Sequence, residues 1–597
     1  MIIIGLFAVI IWVIIISIVL VTRSKESSPS VAGREGMSVA RQVWLYLITL
    51  ISLVIFAGGI GQLLSLFLDI IKGISSTQVG GAAFNQQQLS LGLAMTVIGG
   101  PLWFFFWRAV QRRVKGNREE IGAALRKLFL NFILTVMAFT AVIAAGDFVK
   151  WLLAGAPVSA FSQGGLATMI VAAIIWIYHW RVSETEGQPS SAARTTRRWY
   201  MYILAGFGLI WLASGLVQLI NAAFINLPIW GNVLVPERFW NNTTQMSIAW
   251  ILMGGLTWYF HWFRMAGDDF DSTLRQVYFY LLTIAGGAIT ALVALTMLMF
   301  RFFLWIFGGA PVGVSPHFQF LGWAIPAILV GLAIWGYHLR LAQEETGRIQ
   351  EKRQSAQRVY SYLMSFLSIG TAAAGLSILF GVLLDTGTAL TSTAGWWRNQ
   401  LALCLALLIV GVPLWLYYWN GILKRMQTGT ITEWRALSRR IFLYFIIGAS
   451  IVLLAADLVN VVYQLLRGGL QGNLGANFLN NAKWSLQTLI VAGLLLWYHW
   501  QTLRADQRRG AESGVVRKNV TLLADDRTVE LSARLESKLG FKVRVLYQVG
   551  QTGENAANLP EDEIDRLVNE ITAAPGNKVM LVVIGGKVMV MPYQDKL

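Results

Sequence analysis

The sequence predicts an all-α polytopic membrane protein with about 13 transmembrane helices in tandem hairpin repeats, followed by a small soluble α+β domain. Three observations predict this fold class. Uncharged apolar runs of about 20 residues recur along the chain, and that length spans a hydrocarbon core of about 30 Å. The runs begin and end with recurring basic and aromatic motifs. Near Asn519 the runs give way to short segments with alternating and helical patterns.

The composition excludes an ordinary soluble protein. Hydrophobic residues make up 56% of the 597-residue chain and charged residues only 13%, whereas soluble domains carry about 25% charged residues. In lipid, backbone polar groups must be satisfied internally, which leaves helices or a closed barrel. Because the runs are too long and too uniformly apolar for barrel strands, which alternate over about 10 residues, we expect helices.

The first apolar run, residues 1–22, is expected to be an uncleaved transmembrane helix with its N-terminus outside. Its nearest charges, Arg23 and Lys25, follow the run, and none precedes it. A signal peptide instead begins with basic residues and ends in a small-residue cleavage site. Residues 23–40 are polar and are expected to form a cytoplasmic linker.

Six helical hairpins are predicted next, because similar motifs open and close each of them. One hairpin opens with Arg197-x-x-Tyr200-x-Tyr202 and closes with Trp258-Tyr-Phe-His-Trp262. Hairpins one and five share a Gly-x-Pro-Leu-Trp sequence and lack the histidine, so the repeated unit is a pair of hairpins of about 150 residues. The hairpins cover about 41–113, 126–183, 197–264, 275–344, 357–425 and 439–504. The corresponding units are 41–190, 194–345 and 357–505.

The basic residues predict the orientation. Of the 48 Lys and Arg residues, about 32 lie in the loops that join hairpins and in the segments after the first and last helices, and about 7 lie at the hairpin tips. Positively charged loops stay in the cytoplasm. We therefore expect a bacterial inner-membrane protein whose N-terminus is outside and whose C-terminal domain is cytoplasmic.

The last segment, residues 514–597, is expected to be that soluble α+β domain. An acidic first turn after Pro560 suits a helix N-terminus, and Gly585-Gly586 suits a hairpin turn. The predicted strands and helices are Val520–Leu523, Arg527–Leu539, Phe541–Gln548, Pro560–Thr572, Lys578–Ile584 and Lys587–Met591.

Four of the five histidines occupy one position of the closing motif: His179, His261, His338 and His499. Imidazole at a membrane interface can ligate haem iron or chlorophyll magnesium. Trp and Tyr form belts at bilayer interfaces, and histidine has a similar apolar body and polar tip. Two hairpins carry Phe106 and Tyr418 at this position instead. We favour the aromatic-belt interpretation, expect no cofactor, and keep the four histidines as candidate ligands of haem or chlorophyll.

A second set of polar residues lies about one helix length after the opening motifs, and it supplies candidates for a transport pathway. An ionisable residue inside a membrane suggests function by default, but at this depth the side chains are expected to reach water or the tip loops. The candidates are Asp147, Asp457, Gln62, Gln218 and Asn460.

The sequence contains no catalytic motif. It has no Gly-rich phosphate loop before Lys-Ser or Lys-Thr, no His-Glu-x-x-His and no Gly-x-Ser-x-Gly. Its single cysteine, Cys404, excludes an internal disulfide and a thiolate metal cluster. The net charge of +17 is explained by basic residues at helix ends. We therefore expect neither an enzyme, a metal site nor a nucleic-acid partner, and expect the lipid bilayer and a protein as partners.

The Arg-x-x-Tyr-x-Tyr and Trp-x-Tyr-His-Trp motifs, in paired hairpins, resemble an uncharacterised bacterial multi-pass membrane family with a domain of unknown function. The resemblance covers about residues 40–505 and implies no activity or functional residue. The leading hypothesis is a non-enzymatic membrane component or scaffold whose C-terminal domain binds a protein. One alternative is a transporter or channel that uses Asp147 and Asp457, and the other is a haem- or pigment-binding electron-transfer protein.

Overall fold

The computed structural model describes most of the chain. The described residues are 29–72, 81–116, 121–227, 239–270, 272–309, 317–346, 350–388, 395–428, 436–472, 476–512, 518–524, 529–539, 541–547, 560–584 and 587–594. The expected first helix, residues 1–22, lies outside them, as does the expected turn at residues 585 and 586. The chain divides into two compact regions. One comprises residues 1–301 and 310–348, and the other comprises residues 302–309 and 349–597.

Twelve long helices in the described residues form the six expected hairpins. Helix α6 continues as a π-helical segment, Phe260–Met265, and α7 contains a second one, Tyr278–Ile284. The helices are α1 Pro29–Lys72, α2 Gly81–Gly116, α3 Ala124–Leu153, α4 Gln163–Glu186, α5 Ser191–Ile225, α6 Asn242–Tyr259, α7 Thr273–Ile306, α8 Leu321–Thr346, α9 Gln350–Thr388, α10 Trp397–Thr428, α11 Leu437–Leu470 and α12 Ala476–Glu512.

Local sequence sets several helix starts. Ser162 and Ser190 cap α4 and α5 by accepting hydrogen bonds from the backbone N–H groups of Gly165 and Ala193. Asn241 does the same for α6. Helix α1 begins at Pro29, inside the segment expected to be a linker, so the described part of that segment is already helical.

The hairpins combine into three four-helix units, α1–α4, α5–α8 and α9–α12. In each unit the first helix packs against the fourth, α1 on α4, α5 on α8 and α9 on α12. Small residues allow close approach within the hairpins, because in lipid the driving force is packing and not apolar burial. A Cβ on Gly208 would lie 2.5 Å from the backbone nitrogen of Trp258, and one on Gly287 would lie 2.7 Å from the carbonyl oxygen of Gly331.

Ten helices of the described residues are long and apolar enough to cross a membrane: α1 to α5 and α7 to α11, each at least over most of its length. Helices α6 and α12 are not among them. The described structure therefore agrees with a multi-pass helical membrane protein, with a small sheet-containing region at its C-terminus.

Six residues separate the end of α12 at Glu512 from the first strand of the C-terminal domain at Asn519. Its sheet is mixed, with strand order β2-β1-β3-β4, the first three strands parallel and β4 antiparallel to β3. Both helices pack on one face of the sheet, over Leu522, Leu581 and their neighbours. The elements are β1 Asn519–Ala524, α13 Val529–Leu539, β2 Arg544–Tyr547, α14 Glu561–Ala573, β3 Lys578–Ile584 and β4 Lys587–Pro592.

Candidate functional site

Each four-helix unit contains the same group of five side chains, which we call a histidine cluster. A Trp comes from the second helix of the unit or its π-helical extension, an Arg from the third helix, and a Tyr, a His and an acid from the fourth. The clusters are Trp107, Arg126, Tyr178, His179 and Glu186; Trp262, Arg275, Tyr337, His338 and Glu345; and Trp419, Arg439, Tyr498, His499 and Asp506.

A buried ion pair holds the third helix of each unit to the fourth. Arg275 donates to both carboxylate oxygens of Glu345, at 2.8 and 2.6 Å, and its side chain is only 4% exposed. Arg439 pairs with Asp506 at 2.5 and 3.0 Å, and Arg126 pairs with Glu186. Two-pronged pairs of this kind are strong and directional, so each acid is already neutralised within its cluster.

A tryptophan lies between the arginine and the histidine. The guanidinium carbons of Arg126 and Arg275 lie 5.6 and 4.8 Å from the ring centroids of Trp107 and Trp262, within the range of cation–π attraction. The indole N–H of this Trp donates to the hydroxyl of the Tyr that precedes each histidine. The distances are 2.6 Å for Trp107–Tyr178, 3.3 Å for Trp262–Tyr337 and 2.6 Å for Trp419–Tyr498.

The three cluster histidines share one hydrogen-bonding state. In each, Nδ1 lies 2.8 Å from the carbonyl oxygen of the residue four positions earlier. A carbonyl only accepts, so Nδ1 carries the proton and Nε2 of the neutral ring is left as an acceptor. Nε2 of His179, His338 and His499 is buried and has no hydrogen-bond partner among the described residues.

Aromatic rings enclose these imidazoles. His338 has five rings within 6.4 Å, centroid to centroid, and His499 has three within 5.8 Å. All three histidines are at most 1% exposed. A free Nε2 opposite a carbonyl-bonded Nδ1 is the arrangement of many metal-ligating histidines. A porphyrin at Nε2 of His338, however, would have to displace rings whose centroids lie within 6.4 Å of the imidazole.

His261 is different, although it has the same place in the closing motif. Its Nε2 lies 3.2 Å from the hydroxyl of Tyr200, in the opening motif of the same hairpin. The fifth hairpin pairs Tyr360 with Tyr418 in the same way, at 2.7 Å. The four histidines predicted as one set therefore comprise one with a hydroxyl partner and three whose Nε2 has no partner among the described residues.

The predicted pathway residues have different surroundings in the described structure. Asp147 is exposed on α3, and Gln62 and Gln218 are half-buried on α1 and α5. Asp457 and Asn460 lie one turn apart on α11, where Asn460 donates to the hydroxyl of Ser485 at 2.8 Å. All five residues remain predictions.

Sequence reasoning missed two features near these residues. Each cluster acid follows its histidine by seven positions, and that recurrence was visible in the sequence. Lys483 donates to both carboxylate oxygens of Asp385, at 2.9 and 2.7 Å. Those two residues are 98 positions apart and share no local pattern, so the sequence offered no signal for their pairing.

One face of the sheet of the C-terminal domain is left uncovered by the domain's two helices; its edge strands are exposed, while its central strands are half-buried and, at Thr521, buried. Residues that alternate with its core positions point away from both helices. One row across the four strands is entirely apolar, since Leu546 pairs with Leu523, Leu523 with Val582, and Val582 with Met589. Leu546 is 37% exposed and Met589 47%. Arg544 and Met591 lie in the next row. A surface of this kind can bind another apolar surface.

Comparison with known proteins confirms the predicted family resemblance. One family model, described as a domain of unknown function (DUF5671), matches residues 42–164, 157–228, 227–328 and 358–482. The four matches together cover more than half of the chain, and the C-terminal domain lies outside them. Neither a curated protein nor a solved structure matches the chain.

Proposed function

The chain belongs to the DUF5671 family, and we propose that it is a non-enzymatic membrane component that acts by binding a protein partner through its C-terminal domain. The uncovered apolar face of the domain's sheet is the observation that carries this proposal. Met589 and Met591 supply flexible apolar side chains of the type used at adaptable binding surfaces.

The proposal includes a membrane arrangement. It has 13 transmembrane helices: the ten apolar helices, α6 with its π-helical extension, α12, and residues 1–22. It places the protein in a bacterial inner membrane, with the N-terminus outside and the C-terminal domain in the cytoplasm. The joining segments hold about 32 basic residues and the hairpin tips about 7, and this bias supports the orientation.

The charged residues around the uncovered face indicate the chemistry of the partner's contact surface. Arg544 is exposed on that face and Lys578 is half-buried there, whereas the acidic residues Glu561, Asp562 and Glu563 lie on α14, on the opposite side of the sheet. We therefore expect a protein whose apolar contact surface is flanked by carboxylates. Two copies of this face would bring like charges together, so self-association is disfavoured.

The test is site-specific photo-crosslinking in the native host. A photoreactive residue at Met589 is expected to give an adduct with one protein, and the same residue at Arg566, which is exposed on the helix side, is expected not to. Leu546→Glu should abolish the Met589 adduct, because a buried unpaired charge opposes association. Equal adducts from both positions, an adduct with a second copy, or an adduct with lipid alone would contradict the proposal.

A second candidate function, a transporter or channel, has one specific observation in its favour. The third unit contains the buried pair Asp385–Lys483 and, one turn further along α12, Gln487, whose amide nitrogen is buried without a partner among the described residues. Polar groups inside a helical membrane bundle mark many solute pathways. This function predicts solute flux in liposomes that falls when the pathway residues predicted from the sequence, Asp147 and Asp457, are neutralised, and likewise when Asp385 is neutralised. Unchanged flux in all three variants would remove the support.

A further inference from the structure

The middle unit contains an open cleft between α5, α7 and α8, with a volume of about 530 Å³. We infer that this cleft holds one acyl chain of a membrane phospholipid. The inference rests on the proposed insertion of these helices into a bilayer. It assigns a lipid-binding role to a part of the chain that the proposed partner binding does not use.

The walls of the cleft are continuous with the apolar outer surface of the same helices. Leu281 and Ile210, which line the cleft, are 68% and 56% exposed, and Leu329 on α8 is 60% exposed. These are the faces that meet hydrocarbon in a membrane-inserted protein. The cleft is therefore reached from the acyl-chain region of the bilayer, without passage through the protein.

The dimensions of the cleft fit one acyl chain. Its lining residues on α5 run from Gly206 to Gln218, a distance of about 18 Å at 1.5 Å per residue. A volume of 530 Å³ over that length gives a mean cross-section of about 30 Å². A helix is about 10 Å across and needs a larger cross-section than that. An additional helix is therefore too wide, whereas an extended hydrocarbon chain is not.

Two polar side chains at one end of the cleft lack a partner in the described structure. Ser214 and Gln218 lie one turn apart on α5 and line the cleft, and neither makes a hydrogen bond to a described residue. Thr290, also in the lining, donates instead to the carbonyl oxygen of Gly286 at 2.8 Å. The hydroxyl and amide can donate to the ester carbonyls of a phospholipid. Gln218 lies toward the C-terminal end of α5, which is the outer end in the proposed membrane orientation. The glycerol region of the lipid would therefore lie toward the outer surface of the membrane.

An irregularity of the backbone forms part of the lining. Leu281 and Leu282 belong to the π-helical segment Tyr278–Ile284. The corresponding helices of the other two units, α3 and α11, are α-helical throughout their described lengths. π-Helical turns are uncommon and occur frequently at functional sites. The π-helical segment thus distinguishes α7, which lines the cleft, from α3 and α11.

The experiment uses the full-length protein, extracted in a mild detergent and examined by native mass spectrometry. We expect one phospholipid to remain bound per chain after washing. Gly286→Phe should remove it, because a Cβ at Gly286 meets no atom within 4 Å and its ring would occupy the cleft. Gly336→Phe is the matched control: Gly336 also has open space around a Cβ, is on α8, and does not line the cleft. This control should retain the lipid.

A second variant separates loss of lipid binding from misfolding. Gln218→Leu preserves the approximate size of the side chain and removes its hydrogen bonds, so lipid retention should fall several-fold with an unchanged melting temperature. A wild-type protein without bound lipid, or Gly286→Phe with as much lipid as Gly336→Phe, would overturn the inference. Extraction of the wild-type protein by alkaline carbonate would instead overturn the proposed membrane insertion, so the two failures are distinguishable.

Discussion

The third and fourth hairpins present the histidine of the closing motif, in Phe260-His261-Trp262 and in Tyr337-His338-Leu339, in two different states. In the third hairpin, His261 has a hydroxyl partner, Tyr200. In the fourth, Nε2 of His338 has no partner among the described residues, and the third and fourth helices are joined nearby by the ion pair of Arg275 and Glu345. The comparison shows that the closing motif specifies a helix end that is rich in aromatic residues. Whether Nε2 of its histidine has a hydrogen-bond partner is decided by residues outside the motif.

The largest expected effect comes from breaking the ion pair of the fourth hairpin. Arg275→Ala leaves the Glu345 carboxylate buried and unpaired, and should reduce the free energy of unfolding by about 3–5 kcal/mol. Arg340→Ala is the matched control, because its pair with Glu344 is exposed, at 84% and 60%, and pairs of this type contribute about 0.5 kcal/mol or less. Denaturation in mixed detergent measures both. Similar losses for the two variants would remove the distinction between the pairs.

The second effect is smaller and compares the histidines directly. His261→Phe leaves the buried Tyr200 hydroxyl without its acceptor and should cost about 1–2 kcal/mol. His338→Phe removes an acceptor that has no partner among the described residues and should cost less. His261→Tyr should recover most of the loss, since Tyr418 makes this contact in the fifth hairpin. Equal melting temperatures for the two Phe variants would contradict the assignment of two states.

A third test extends the comparison to solvent-exposed pairs. In the C-terminal domain, hydrogen bonds from Lys538 and Arg534 lower the pKa of Glu561. Its charged form is therefore favoured in the folded domain, so its contribution to stability is present above the unfolded-state pKa and is lost as the pH falls through the lowered value. The unfolding midpoint of the domain in the full chain, measured against pH, should lose part of its acid dependence in Lys538→Gln. An unchanged profile would show that the pair is not linked to folding.

The smallest expected signal is in the absorption spectrum. Because rings enclose His179, His338 and His499, we expect protein purified from its native host to show no haem or chlorophyll band, oxidised or reduced. A band that disappears in His338→Phe but persists in His261→Phe would identify the cluster histidines as cofactor ligands and overturn this expectation.

The sequence predicted much of the fold and less of the sites. Apolar runs and their aromatic ends are local signals, so the hairpins could be located from them. The pairing of α5 with α8, and likewise in the other units, requires contacts between the two hairpins of a unit, and the local motifs do not show which helices make them. The state of His261 depends on Tyr200, 61 positions earlier. Tyr278 occupies the matching position in the fourth hairpin without bonding to His338, and it begins a π-helical turn that no sequence pattern indicated.

The short connection to the C-terminal domain has a kinetic consequence. Six residues separate α12 from β1, and the chain between the two elements can span at most about 25 Å. In the proposed arrangement, the uncovered sheet face is confined to a thin layer beside the bilayer and diffuses only in two dimensions. A protein held on that face would find other membrane-bound molecules by lateral search, at a local concentration far above its cytoplasmic value.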